Sequence, residues 1–169
     1  MKKKGLLLSL IAFFSSVQAI EAELTWDGTI PLDAEALAES GIRETYEQYI
    51  LPHLCHYVVH PLVITEKFAQ ENMVYSVFAG DKNYDIFGSQ ISEPDSWGRA
   101  TWAIFSIVNQ QLADSDIRFY ALDNGNGLAG MFLTQQEYQR YVRVLEKEKK
   151  YTDIPYIPTD EPPWFGQRH

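Results

Sequence analysis

The chain has 169 residues, 46% of them hydrophobic and 14% aromatic, and a formal net charge of −9. That length suits one domain with a continuous core rather than two full ones, and the acidity argues against nucleic acid or anionic lipid as a partner. A single cysteine excludes an internal disulfide, so the packing of large side chains has to supply the stability.

In chain order, Lys2-Lys3-Lys4, the apolar run from Gly5 to Phe14 and then Ser15-Ser16-Val17-Gln18-Ala19 have the layout of a secretory signal. The basic start precedes an apolar core too short to span a bilayer, and small residues lead up to the cut after Ala19. Residues 1–19 are therefore read as a cleaved signal peptide. This places the protein in the periplasm, or alternatively among secreted proteins, with no stable membrane insertion after cleavage. Losing three lysines lowers Lys plus Arg from 14 to 11 against 23 Asp plus Glu, which moves the net charge from −9 to −12. Such a surface serves solubility, and it also suits a basic protein partner.

Ile20 to Leu32 forms a short acidic leader containing Trp26, and Asp33 has the right chemistry to cap a helix. Ala34, Leu37, Ala38, Ile42, Tyr46, Tyr49 and Ile50 give that helix an apolar face, with Gly41 able to split it and Pro52 to kink or end it. Val58 to Lys67 is β-prone, and Pro61 places it at a sheet edge or delays its start. Met73 to Ala79 and Tyr84 to Phe87 flank the four-residue turn Gly80-Asp81-Lys82-Asn83. Ile117 to Leu122 and Leu128 to Leu133 flank Asp123-Asn124-Gly125-Asn126-Gly127, giving a second hairpin.

Between the hairpins, Asp95 or Ser96 is expected to cap a helix running to about Ala113. Its apolar arc, widened by Trp102, Ala103 and Phe105, predicts burial on more than one side. Thr134-Gln135-Gln136-Glu137 fits a capping box ahead of a last helix with Tyr138, Tyr141, Val142 and Leu145 on one stripe. The tail from Tyr151 carries Pro155, Pro158, Pro162 and Pro163 beside Tyr156, Trp164 and Phe165, and is expected to run extended and to pack through its aromatics. The expected fold class is α+β. An antiparallel sheet built from two β-hairpins alternates with helices over residues 20–150, in the order helix, hairpin, helix, hairpin, helix, and the extended tail occupies 151–169.

His53, His56 and His60 are the residues whose spacing suits a transition metal if a helical turn follows Pro52, because three histidines and a water make a catalytic zinc arrangement. Pro61 disfavours that geometry at His60, and ordinary histidines at a helix end explain the same residues. Cys55 reads as a small buried hydrophobe rather than a reactive thiol. No GxSxG turn occurs. The Asp123 to Gly127 run carries calcium-type oxygen ligands but not the EF-hand order, and a hairpin turn accounts for it.

The segment Trp102 to Tyr141, with WAIFSIVNQQL and RFYALDNGNGLAGMFLTQQEYQRY, resembles small exported bacterial toxin-immunity proteins, including partners of type VI effectors. The resemblance implies a periplasmic, non-enzymatic protein that binds an exported antibacterial effector, a basic toxin or hydrolase, and neutralises it by occluding its active site. Asp81, Asp123, Asn124 and Asn126, at the hairpin tips, are the candidate partner contacts, and no cofactor or metal is expected. Two alternatives stand beside this: a hydrolase or metal-dependent enzyme using His53, His56 and His60, and a secreted interaction or effector protein whose tail binds a partner.

Overall fold

A computed structural model describes residues 23–71 and 73–161. The signal segment 1–19 and the tail residues Pro162, Pro163, Trp164 and Phe165 lie outside the described residues. Among the described residues no helix is long and apolar enough to cross a membrane.

Asp33 accepts the Ala36 backbone N–H at 3.0 Å and starts α1, Ala34–Glu39, whose Ala34, Leu37 and Ala38 are buried. Gly41 splits the helical segment as expected. Its φ of +112° disfavours any side chain, and a Cβ there would sit 3.1 Å from Glu66 Oε1. The chain resumes as α2, Ile42–Thr45, passes through a widened π turn at Tyr46–Ile50, and ends as α3, Leu51–Leu54. Ile42, Tyr46, Ile50 and Leu54 are buried at a strict four-residue spacing. In a pure α-helix that stripe would rotate by about 40° per step. The extra residue of the π turn offsets the drift. The same turn carries Tyr49 off the apolar face and leaves it 52% exposed, which corrects its expected burial. Pro52 does not end the helix: it follows the wide turn directly, where its missing N–H and bulky ring are tolerated.

Two three-stranded antiparallel sheets form, rather than one sheet holding both hairpins. The first orders β2 (Ile64–Ala69), β3 (Val74–Ala79) and β4 (Lys82–Phe87) side by side. β2 starts only after Pro61 and lies at the edge, as Pro61 suggested. Ala79 pairs with Lys82, so the turn is the two residues Gly80-Asp81 and not four, with Lys82 and Asn83 already in the strand. The second sheet has the order β1-β6-β5, comprising Ile30–Pro31, Ala129–Thr134 and Ile117–Leu122. The α+β class and the alternation of helices with hairpins hold. What separates the sheets is that each hairpin recruits its own third strand.

The helix α4, Glu93–Gln111, runs between the hairpins in sequence and packs against α1, β4 and β5. Ser92, not Asp95 or Ser96, is its cap: the hydroxyl accepts the Asp95 N–H at 3.3 Å, and Pro94 fits the first turn. At the other end the Arg118 guanidinium donates to the carbonyls of Leu112, Ser115 and Ile117 at 2.7, 2.8 and 2.6 Å. A cation thereby meets the negative end of the helix. The centre of the core is an aromatic column, with Phe105 and Phe119 stacked at 4.6 Å, Phe119 and Phe132 at 4.6 Å, and Tyr57 closing it at 5.4 Å from Phe132.

The outer edge of β5 is closed in two steps. The Asn109 side chain from α4 donates to the Phe119 carbonyl and accepts the Phe119 N–H, both at 2.8 Å, in place of a neighbouring strand. Two residues on, Ala121 exchanges hydrogen bonds of 2.7 and 3.0 Å with Tyr156 of the tail. Ile154, Pro155 and Pro158 are buried, so the tail packs on the domain through residue 158. The last helix, α5, Gln135–Lys147, opens on the expected Thr134–Glu137 capping box.

One carboxylate on β2 ties the start of α2 to β3. Glu66 Oε1 accepts the N–H groups of Ile42 and Arg43 at 2.7 and 2.9 Å and the Tyr75 hydroxyl at 2.6 Å. Burial first, and the adjacent Glu66 second, push the Tyr75 phenol well above its ordinary range, and burial beside Asp123 does the same to Tyr156. An unfolded chain releases these protons from about pH 10, whereas the folded chain retains them, so the unfolded state is favoured as pH rises. Stability measured by urea unfolding is expected to fall above about pH 10, and Tyr156→Phe is expected to shallow that fall. An unchanged alkaline slope in that variant would exclude Tyr156 as a contributor.

Candidate functional site

The second hairpin tip is built from local hydrogen bonds and braced from two sides. Asp123 adopts φ +55°, which a short polar side chain tolerates, and its Oδ1 accepts the Asn124 N–H at 2.8 Å. A 3₁₀ turn at Gly125–Gly127 follows, in which the Gly127 N–H donates to the Asn124 carbonyl at 3.1 Å. From the tail, the Tyr156 hydroxyl donates to the Asp123 carbonyl at 2.9 Å. From α1, Glu35 Oε2 accepts the Asn126 side-chain amide at 2.7 Å.

The leader runs beside this tip. Arg140 donates to the Glu23 carbonyl at 2.9 Å and the Tyr141 hydroxyl donates to that of Thr25, so α5 straps the leader down. Trp26 sets its ring edge-on to Tyr141, with centroids 5.1 Å apart, and remains 42% exposed. Between leader, tip and tail lies an open cleft of about 620 Å³, lined by Trp26, Thr29, Leu122, Asp123, Asn124, Thr152 and Asp153. Its charged lining is acidic throughout. A second cleft of about 560 Å³ shares Trp26 and Asp153 but also carries Lys147 and Lys150, the latter paired with Glu148 at 2.8 Å. The first cleft is therefore suited to a cationic group, and Trp26 offers an aromatic face for its stem.

The four predicted contacts divide. Asp123 and Asn124 line the cleft together. Asn126 turns its amide to Glu35 and braces the tip. Asp81 lies at the tip of the other sheet, outside this cleft. Trp26 and Asp153 are the residues that sequence reasoning passed over. Their signals were the tryptophan within an acidic leader and the aspartate just ahead of the prolines that dock the tail.

The histidines lie at the end of the helical segment and in the turn and loop that follow it. His53, His56 and His60 are exposed, and no three His, Cys, Asp or Glu among the described residues are placed to hold a metal ion. The helix ends at Leu54 and the chain turns through Cys55–Tyr57, so no continuous face carries the three rings. Cys55 is exposed, contrary to its expected burial, because Leu54 takes the inward position at that end.

No protein-family model matches the chain, and no curated protein or solved structure is significantly similar to it.

Proposed function

We propose that the chain is a periplasmic, non-enzymatic protein that binds a basic exported antibacterial effector and neutralises it by occluding the active site. The observation that carries this reading is the cleft beside the second hairpin tip, where Asp123 and Asp153 meet an exposed Trp26 and no lysine or arginine lines the wall. A lysine or arginine of the effector enters there, its charge facing the two carboxylates and its stem lying on the indole. The tip itself, held by Tyr156 and Glu35, is ordered before binding, which lowers the entropy cost of docking. Net negative charge adds long-range steering of a basic partner.

The test is capture from periplasmic extract, with the product of the adjacent gene assayed directly for binding and for killing of cells with and without this protein. Trp26→Ala and Asp123→Lys are each expected to weaken binding by about 30-fold or more, as for a central anchor of an interface. Protection of cells should fall in parallel. Absence of any tight partner, together with no protection against the neighbouring product, would sink the reading.

A further inference from the structure

The strand pairing leaves the β2 edge of the first sheet open. Ala79 pairs with Lys82 across a two-residue turn, so both of its backbone groups face β4. Bonding alternates from there along β3, and on β2 it is Thr65, Lys67 and Ala69 that face β3. Ile64, Glu66 and Phe68 turn their N–H and C=O groups outward, where they meet no partner among the described residues. The other edges are covered or too short to extend. β5 is completed by Asn109 and Tyr156, the outward Asp85 carbonyl of β4 accepts from the Arg99 guanidinium at 3.3 Å, and β1 is two residues long and ends in proline.

An open groove of about 420 Å³ lies beside this edge, walled by Ala38, Glu39 and Arg43 on one side and by Glu66, Phe68 and Tyr75 on the other. A strand added to β2 would send every second side chain into it. Phe68, still 55% exposed, offers an apolar surface there. The charge of the groove is negative on balance. Arg43 lies 4.0 Å from Glu66, Glu39 has no cationic partner among the described residues, and Glu71 borders the same Phe68 ring farther along. Lys67 alternates with Glu66 and Phe68 and so lies on the opposite face of the sheet, where a cation would be repelled.

We propose that the β2 edge docks an extended basic segment of a partner protein, which joins the sheet as a fourth strand and carries lysine or arginine at alternate positions. The backbone groups of Ile64, Glu66 and Phe68 bond the added strand. The cationic stems lie on Phe68 and their charges face Glu39 and Glu71. A second copy of the chain is the poorer occupant, because two bodies of net charge −9 repel each other. The inference is independent of the cleft at Trp26, which belongs to the other sheet.

The test is residue-resolved hydrogen exchange with a short synthetic peptide that alternates lysine and threonine, and with a control that alternates glutamate and threonine. In the free protein the Glu66 and Phe68 amides should exchange faster than those of Thr65 and Lys67. The lysine peptide at saturation is expected to slow Glu66 and Phe68 by about tenfold or more and to leave Thr65 and Lys67 nearly unchanged. Glu39→Lys, an exposed substitution, should weaken lysine-peptide binding by about tenfold. Asp123→Lys, which disables the cleft, should leave the protection on β2 intact. Three results would each overturn the proposal: no alternation in the free protein, no alternate protection with the lysine peptide, or equal binding of both peptides. Protection of Glu66 and Phe68 that rises with protein concentration alone would overturn the partner as occupant and assign the edge to a second copy.

Discussion

Gly130→Ala is expected to destabilise the fold by about 3 kcal/mol, the upper part of the range for overpacking a core, although it adds one methyl group. A Cβ at position 130 would overlap Phe119 Cζ and lie 2.6 Å from Cε2 and 2.9 Å from Cε1. The ring cannot step aside. It is fully buried, stacked on Phe105 at one side and tilted against Phe132 at the other, both at 4.6 Å. Any shift must pass along the column to Tyr57 or separate α4 from the second sheet. Urea unfolding checks the magnitude, and near-ultraviolet circular dichroism checks the aromatic column. Adding Phe119→Leu should cost less in the Gly130→Ala background than in the native protein, because the two positions share one space. A Gly130→Ala protein within about 0.5 kcal/mol of the native one would show that the ring has room to move.

That contact also shows where reading the sequence stops. The hairpin run Ile117 to Leu122 and the Thr134–Glu137 box declare themselves locally, because each depends on residues a few positions apart. Gly130 under Phe119 depends on register across a hairpin, and a glycine in a strand looks the same whether it is a weakness or a seat for a ring. Tyr49 failed for a related reason: the α period of 3.6 residues was assumed through Tyr46–Ile50, where the helix widens. The separation into two sheets turned on third strands as short as Ile30–Pro31, below the length at which periodicity carries a signal.

The candidate site divides along the same line. Asp123 and Asn124 were legible because a turn of that composition has to be exposed and polar. The cleft they line was not, since its other walls come from Trp26 and Asp153, more than 20 residues away in either direction. What brings those walls together is non-local. α5 ties down the leader through Arg140 and Tyr141, and the tail adds Tyr156 to the edge of β5. Recognition and stability therefore meet on β5, since the strand that ends at the tip is the one whose outer edge the tail and α4 must complete.

Asn109→Ala tests that edge. The side chain supplies both partners of Phe119's outward-facing backbone groups at 2.8 Å, so its removal leaves a donor and an acceptor unpaired beside a fully buried residue. Each such group costs about 1–3 kcal/mol, and the expected loss of stability is about 2–5 kcal/mol. Asn109→Asp keeps the acceptor for the Phe119 N–H but faces the Phe119 carbonyl with a second oxygen, so it should lose stability as well. The local signature is more specific than the total. Hydrogen exchange at the Phe119 amide should accelerate in Asn109→Ala, while the Ala121 amide, bonded to the Tyr156 carbonyl at 2.7 Å, keeps its protection up to the limit set by global unfolding. A Phe119 amide as slow as in the native protein would mean that a neighbouring group had taken over the Asn109 bonds. Equal acceleration at both amides would mean that the edge opens as one unit and that the tail depends on Asn109 to stay docked.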